Sequence, residues 1–185
     1  RLARGKGKAR AHAKVEVPPH LRLGLSCEAY TKFVFEELKK VGFKTDFRGD
    51  LENVKDFREK YPESLFWIAE QYGDRPTGYD LAETTKMWLR MNNAEDKSVC
   101  EVLKERGWEG VGEAEVFLSH VQAERPQDTL NAMECIDNRY GPARRLNHKG
   151  SKVWVDYFCL RQLRSDFQPE QIEELIHETG AVWVH

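Results

Sequence analysis

The sequence predicts an α/β fold, with a parallel sheet in the C-terminal part and a mainly helical region before it. Three observations predict this. From Val116 to Val184, short β-branched and aromatic runs alternate with helical stretches in the order β-α-β-α-β. The connections are long enough to be crossovers, so the strands are expected to lie parallel, joined in the right-handed sense. Before residue 113, apolar residues recur instead at helical spacing. The expected organisation is a basic flexible arm (1–20), a helical region (21–112) and an α/β region (113–185).

Residues 1–14 of the arm carry Arg1, Arg4, Lys6, Lys8, Arg10 and Lys14 and no acid, and Pro18-Pro19 closes the arm. The whole chain of 185 residues has 29 basic and 31 acidic side chains, a formal net charge of −2; outside residues 1–14 the net is −8. A Gly/Ala-rich basic arm has too little apolar surface to offset the entropy of ordering itself. The plain reading is a solvated tail or the remnant of a processed targeting segment. The other is a partner-binding arm that lies on an anionic surface. The first residue is not Met, which is read as a processed form or a fragment.

In the helical region, Ser26 is placed to cap a helix carrying Tyr30, Phe33, Val34, Leu38 and Val41, stopped by Gly42. Phe43, Thr45 and Phe47 alternate like a short strand. Asp50 opens a helix toward Tyr61, and Pro62 introduces another that ends at Gly73. Asp80 and Glu83 read as an acidic capping box before Leu81, Met87, Trp88, Leu89 and Met91. Val99, Val102 and Leu103 form a short helix closed by Gly107. The aromatic residues here are read as core.

In the α/β region, Val116 to His120 is a short apolar strand. Pro126 suits a first helical turn, followed by Leu130, Met133, Ile136 and Tyr140 up to Gly141-Pro142. Val153 to Phe158 is β-branched and aromatic on consecutive positions, as in a strand covered on both faces. Pro169 opens a helix with Ile172, Leu175, Ile176 and Thr179 inward and Glu170, Glu173, Glu174 and Glu178 outward. Gly180 ends it, and Ala181 to Val184 is the third strand.

Composition excludes several classes. The near balance of charge excludes a wholly basic nucleic-acid binder and a wholly acidic tail protein. No apolar run approaches the ~20 residues of a membrane-spanning helix. Cys27, Cys100, Cys135 and Cys159 form no CxxC pair and have no histidines clustered near them, so no metal site is expected. Well-spread cysteines without a secretory apolar segment are read as reduced core thiols. An intracellular, reducing compartment is therefore expected, with the cytoplasm first and an organelle left open by the missing Met. Gly5-Lys6-Gly7-Lys8 lacks the preceding strand and the Lys-Ser/Thr pair of a phosphate loop. Gly110-Val111-Gly112 precedes a strand rather than following one. His177-Glu178 has no second zinc-ligating His. Arg144, Arg145, His148, Lys149 and Lys152 make a basic loop at the amino end of the second strand, away from any crevice.

Ligands of open parallel sheets sit outside the carboxyl ends of the strands. Ser119 and His120 end the first strand, Asp156 breaks the second with Arg161 and Gln162 just beyond, and His185 ends the third. An imidazole, a carboxylate and a guanidinium meeting there would suit a nucleotide or another polar ligand. The competing reading has Ser119 and Asp156 accepting backbone N–H bonds in the turns, with His120 packed.

Val116-Phe117-Leu118-Ser119-His120 resembles the opening strand of Toll/interleukin-receptor (TIR) domains. Trp154-Val155-Asp156-Tyr157-Phe158-Cys159-Leu160-Arg161-Gln162 resembles the signature of the fungal heterokaryon-incompatibility (HET) domain, itself related to the TIR fold. That signature is Trp, an aliphatic, Asp, two variable residues, Cys, an aliphatic, a variable residue and Gln. The later Gln171, Leu175-Ile176 and Val182-Trp183-Val184 follow the same family order. The resemblance covers residues 115–185 and none of the helical region. It implies a flavodoxin-like sheet and a protein–protein interaction or signalling module working by self-association or partner docking; no cofactor is expected, with NAD or another nucleotide left open. Some TIR domains cleave NAD with a Glu on the helix after the third strand. No residue of this chain matches that Glu, and Glu173 and Glu174 lie on the preceding helix. A carboxylate is needed beside the developing oxocarbenium ion, so an NAD glycohydrolase is an alternative only with residues beyond His185 or on a second subunit. A structural accessory subunit using its basic arm is the third expectation.

Overall fold

A computed structural model describes residues 15–41, 77–144, 150–164 and 168–184. The arm residues Arg1, Arg4, Lys6, Lys8, Arg10 and Lys14 lie outside these. So do the strand expected at Phe43–Phe47, the helices expected after Asp50 and Pro62, the loop positions 145–149 and His185.

The described fold is mixed α/β around a five-stranded sheet in the order β2-β1-β4-β3-β5. Its strands are β1 (Leu23–Leu25), β2 (Val111–Glu113), β3 (Val116–Ser119), β4 (Val153–Trp154) and β5 (Val182–Val184). β3 pairs in parallel with β4 (Phe117 opposite Trp154) and with β5 (Ser119 opposite Val184). The expected parallel β-α-β-α-β unit is thus present. β1 runs antiparallel to both β2 and β4, so the sheet as a whole is mixed.

Two strands therefore arise in a stretch whose pattern reads as helical, and the boundary expected at 112/113 falls inside β2. Leu23-Gly24-Leu25 is buried throughout. Three residues with no alternation between faces carry no period for a sequence pattern to show. Gly24 is required for space: a Cβ there would stand 2.8 Å from the Val153 carbonyl oxygen.

The helices are α1 (Cys27–Lys32), α2 (Gly78–Met91), α3 (Val99–Glu105), α4 (Pro126–Arg144), α5 (Asp156–Cys159) and α6 (Pro169–Thr179). α1 starts at the expected cap, where Ser26 Oγ accepts the Ala29 N–H at 3.2 Å. It continues through a wider π turn, Phe33–Glu37, and a tighter 3₁₀ turn, Leu38–Val41. The cap of α2 lies one turn before the expected Asp80/Glu83 pair: Thr77 is the cap, and Asp80 Oδ2 accepts the Thr77 N–H at 2.7 Å. Ser98 and Glu101 form a reciprocal capping box on α3. α4 runs through Gly141-Pro142 to Arg144 rather than stopping there. Gly180, at φ +64°, ends α6 and donates its N–H to the Ile176 carbonyl.

The second strand of the parallel unit is shorter than its sequence implies. Only Val153 and Trp154 belong to the paired strand; Val155 is still extended, and Asp156 to Cys159 coil into one helical turn. An unbroken apolar run fits a buried helix as well as a buried strand. Here Asp156 Oδ1 accepts the Tyr157 N–H at 2.6 Å, and Leu160 donates its N–H to the Asp156 carbonyl at 2.9 Å.

That turn anchors the core. Phe158 meets Tyr30 at 5.5 Å between ring centroids, Phe33 at 5.2 Å and Tyr157 at 4.7 Å, all edge to face, and Phe33 meets Trp88 in the same way. All five rings are buried, and they join α1, α2 and α5. On the sheet, Phe117 stacks on Trp154, whose indole N–H donates to the Leu21 carbonyl at 2.9 Å. Arg22 and Glu178 form a bidentate pair at the surface. No helix among the described residues is long and apolar enough to cross a membrane.

Phe158 is fully buried against three rings, so Phe158→Ala is expected to lower unfolding free energy by about 3–5 kcal/mol. Urea denaturation followed by tryptophan fluorescence measures it.

Candidate functional site

The carboxyl ends of β3 and β4 bring His120 and Asp156 together. Adjacent parallel strands end on the same rim, and the first residue after β3 meets the second residue after β4. His120 Nε2 lies 3.1 Å from Asp156 Oδ1, with the imidazole side chain only 3% exposed. The imidazole edge meets the Tyr157 ring at 5.1 Å and 85°. Behind it, the Tyr157 hydroxyl bonds Thr129 Oγ1 at 2.9 Å, and the Tyr30 hydroxyl donates to the Pro126 carbonyl at 2.8 Å. Burial pushes both tyrosine hydroxyls far above their usual range, so they act as neutral hydrogen-bonding groups.

Asp156 is the polar residue in an otherwise buried stretch, and its oxygens are well used. Oδ1 takes His120 and the Tyr157 N–H; Oδ2 accepts the Gln122 side-chain amide. Gln162 Nε2 donates to the Asp156 carbonyl at 3.0 Å. An ionised carboxylate only accepts, so the proton between the pair sits on Nε2. His120 Nδ1 is buried with no hydrogen-bond partner.

Of the expected rim residues, His120, Asp156 and Gln162 thus converge. Ser119 is exposed at the end of β3, opposite Val184. Arg161 joins a different contact. Its guanidinium forms a bidentate pair with Glu101, Nη2 to Oε1 at 2.7 Å and Nε to Oε2 at 3.0 Å. Partial burial favours the neutral acid at Glu101, and Arg161 with the Ser98 N–H overcomes this, holding the carboxyl below its usual value. The expected trio of imidazole, carboxylate and guanidinium is therefore corrected to an imidazole–carboxylate pair in which Asp156 also accepts from two side-chain amides. Gln122 is the member that the sequence did not mark. An amide in a loop has no signature of its own, and only its position two residues past His120 hints at a role.

The rim is also apolar. Val121 is 58% exposed and Val184, at the carboxyl end of β5, 77%; Val182, 44% exposed, lies at the amino end of that strand. Two surface grooves lie elsewhere: one of about 450 Å³ beside Lys32, Arg106 and Trp108, and one of about 540 Å³ beside Cys27, Glu36 and Asp137. No group of three His, Cys, Asp or Glu among the described residues is placed to hold a metal ion.

The four cysteines are free thiols in unlike settings. Cys100 and Cys159 are buried with sulfurs 3.7 Å apart, Cys27 is half-buried and Cys135 is exposed. The expectation of core thiols thus fits two of the four. Burial, reinforced by Asp137 and Glu134, pushes the Cys27 thiol up to about 12.

The chain matches no family model, no curated protein and no solved structure.

Two measurements test this description. Asp156→Ala leaves His120 Nε2, the Gln122 amide and the Tyr157 N–H without their acceptor, and is expected to lower stability by about 1–3 kcal/mol; Asp156→Asn, which keeps acceptor oxygen, is expected to lose less in the same denaturation assay. At pH 8 only thiolates alkylate, so a raised thiol reacts slowly. Iodoacetamide should therefore label Cys135 first, Cys27 far more slowly, and Cys100 and Cys159 only after unfolding, as mapped by peptide mass spectrometry.

Proposed function

We propose that this chain is a TIR-like interaction module that associates with a second copy of itself through the rim at the carboxyl ends of its parallel strands. Strand order supports the kinship. The parallel strands lie as β4-β3-β5, the second beside the first and the third on its other side, as a flavodoxin-like sheet begins. The antiparallel β1 and β2 extend that plan beyond β4.

The observation that carries the reading is the exposure of Val121 and Val184 on the rim that holds the His120–Asp156 pair. The polar groups there are spent largely on one another, and valines are left facing solvent. An apolar patch of this kind around a fixed polar cluster serves contact better than turnover. In a two-fold pairing each copy brings the same patch, so an apolar surface can cover itself.

Sedimentation equilibrium from low to high micromolar concentration is the test. A reversible dimer is expected, weakened at least about tenfold by Val184→Asp or Val121→Asp. A monomer throughout that range overturns the reading. Release of nicotinamide from NAD replaces it with the NAD-processing alternative. Association that is salt-sensitive and lost on deleting residues 1–14 replaces it with the accessory-subunit alternative.

A further inference from the structure

We propose that the first turn of α2 is the seat of the loop that carries the rim site, and that Gly78 is a positioning residue for the His120–Asp156 pair. The first N–H groups of a helix have no partner within the helix. At α2, Asp80 Oδ2 reaches back to the Thr77 N–H and, at 3.0 Å, to the Thr77 hydroxyl. The next two donors go to the loop after β3. Gly78 donates its N–H to the Glu124 carbonyl at 2.8 Å, and Tyr79 donates to the Gln122 carbonyl at 3.1 Å. The loop is itself closed by the Glu124 N–H on the Val121 carbonyl at 2.9 Å.

This approach needs glycine at position 78 for space, not for an unusual backbone angle. A Cβ on Gly78 would stand 2.8 Å from the Gln122 carbonyl oxygen and 3.2 Å from its Cα. Both are backbone atoms, which cannot swing aside as a side-chain tip would. Gln122 is held at two points: its carbonyl sits on α2, and its side-chain amide donates to Asp156 Oδ2. Asp156 in turn holds His120. The contacts Gly78–Gln122–Asp156–His120 thus join a helix from the first half of the chain to the rim of the parallel unit. Moving the seat moves the amide that shares Asp156 with the imidazole.

The seat is read without any partner, so its failure leaves the association reading untouched. The probe is the His120 ring of the ¹⁵N-labelled full chain, assigned by the signals lost in His120→Gln and observed in long-range ¹H–¹⁵N correlation spectra. Gly78→Ala is expected to shift the His120 nitrogens and to speed hydrogen exchange of the Tyr79 amide about tenfold, the worth of one net hydrogen bond. Gln122→Ala, which keeps its carbonyl, is expected to shift His120 while leaving Tyr79 protected. Arg90→Ala, on the exposed side of the same helix, should change neither. His120 signals that stay in place in Gly78→Ala overturn the proposal, because a purely structural glycine would alter stability alone. Should Gly78→Ala fail to fold, the wild type and Gln122→Ala decide: a freely exchanging Tyr79 amide, or an unmoved His120, overturns it equally.

Discussion

The burial of one short stretch governs much of this structure. From Val153 to Cys159 every residue except Asp156 is buried, and the stretch passes from strand to helix in the middle. Its apolar members gather rings from α1 and α2 and fix where those helices lie. Its one carboxylate, half-screened from water, has to be given donors, because an unsatisfied group in that position costs more than a made bond returns. His120, Gln122 and the Tyr157 N–H are those donors. Core and candidate site are thus two answers to a single demand, and neither is built without the other.

The site's chemistry follows from the same economy. An imidazole locked on a carboxylate is an oriented group, and its second nitrogen is buried with no partner. Such an arrangement holds the ends of β3 and β4 in a fixed relation and presents a rigid rim. On the proposed reading, the valines beside it make this rim a contact surface, since a preorganised surface loses little entropy on association. The Arg161–Glu101 pair makes a parallel point. It ties the segment after α5 to the first turn of α3, away from the rim pair, and serves to brace the fold.

How much of this could be read beforehand depended on the length of each signal. α1, α3, α4 and α6 carry several turns of period or a plain start or stop, and Ser26, Pro126, Pro169 and Gly180 mark ends of three of them as the chemistry of helix termini requires; the Ser98 cap of α3 emerges only in the fold. The meeting of His120 and Asp156 was legible because neighbouring parallel strands must finish on one edge. β1 and β2 were not legible, since Leu-Gly-Leu and Val-Gly-Glu hold no period and lack the β-branched and aromatic run that marks β5. The helical turn at Asp156 was hidden because an uninterrupted apolar run does not distinguish strand from helix. Arg161 was placed by its nearness in sequence to Asp156, whereas its partner Glu101 lies 60 residues away. Gln122 and Gly78 matter through contacts between distant segments, which no local pattern encodes.

β1 has a consequence for how the molecule is made. It is wedged between β2 and β4, with Leu25 opposite both Val111 and Val153. The Leu21 carbonyl beside it waits for an indole 133 residues later, and Arg22 for a carboxylate 156 residues later. A ribosome delivers this segment before any of these companions, so it waits first for β2 and then, longer still, for β4, Trp154 and Glu178. Closing loops of that span before any contact rewards them makes for slow assembly, with Leu21, Leu23 and Leu25 open meanwhile to wrong neighbours.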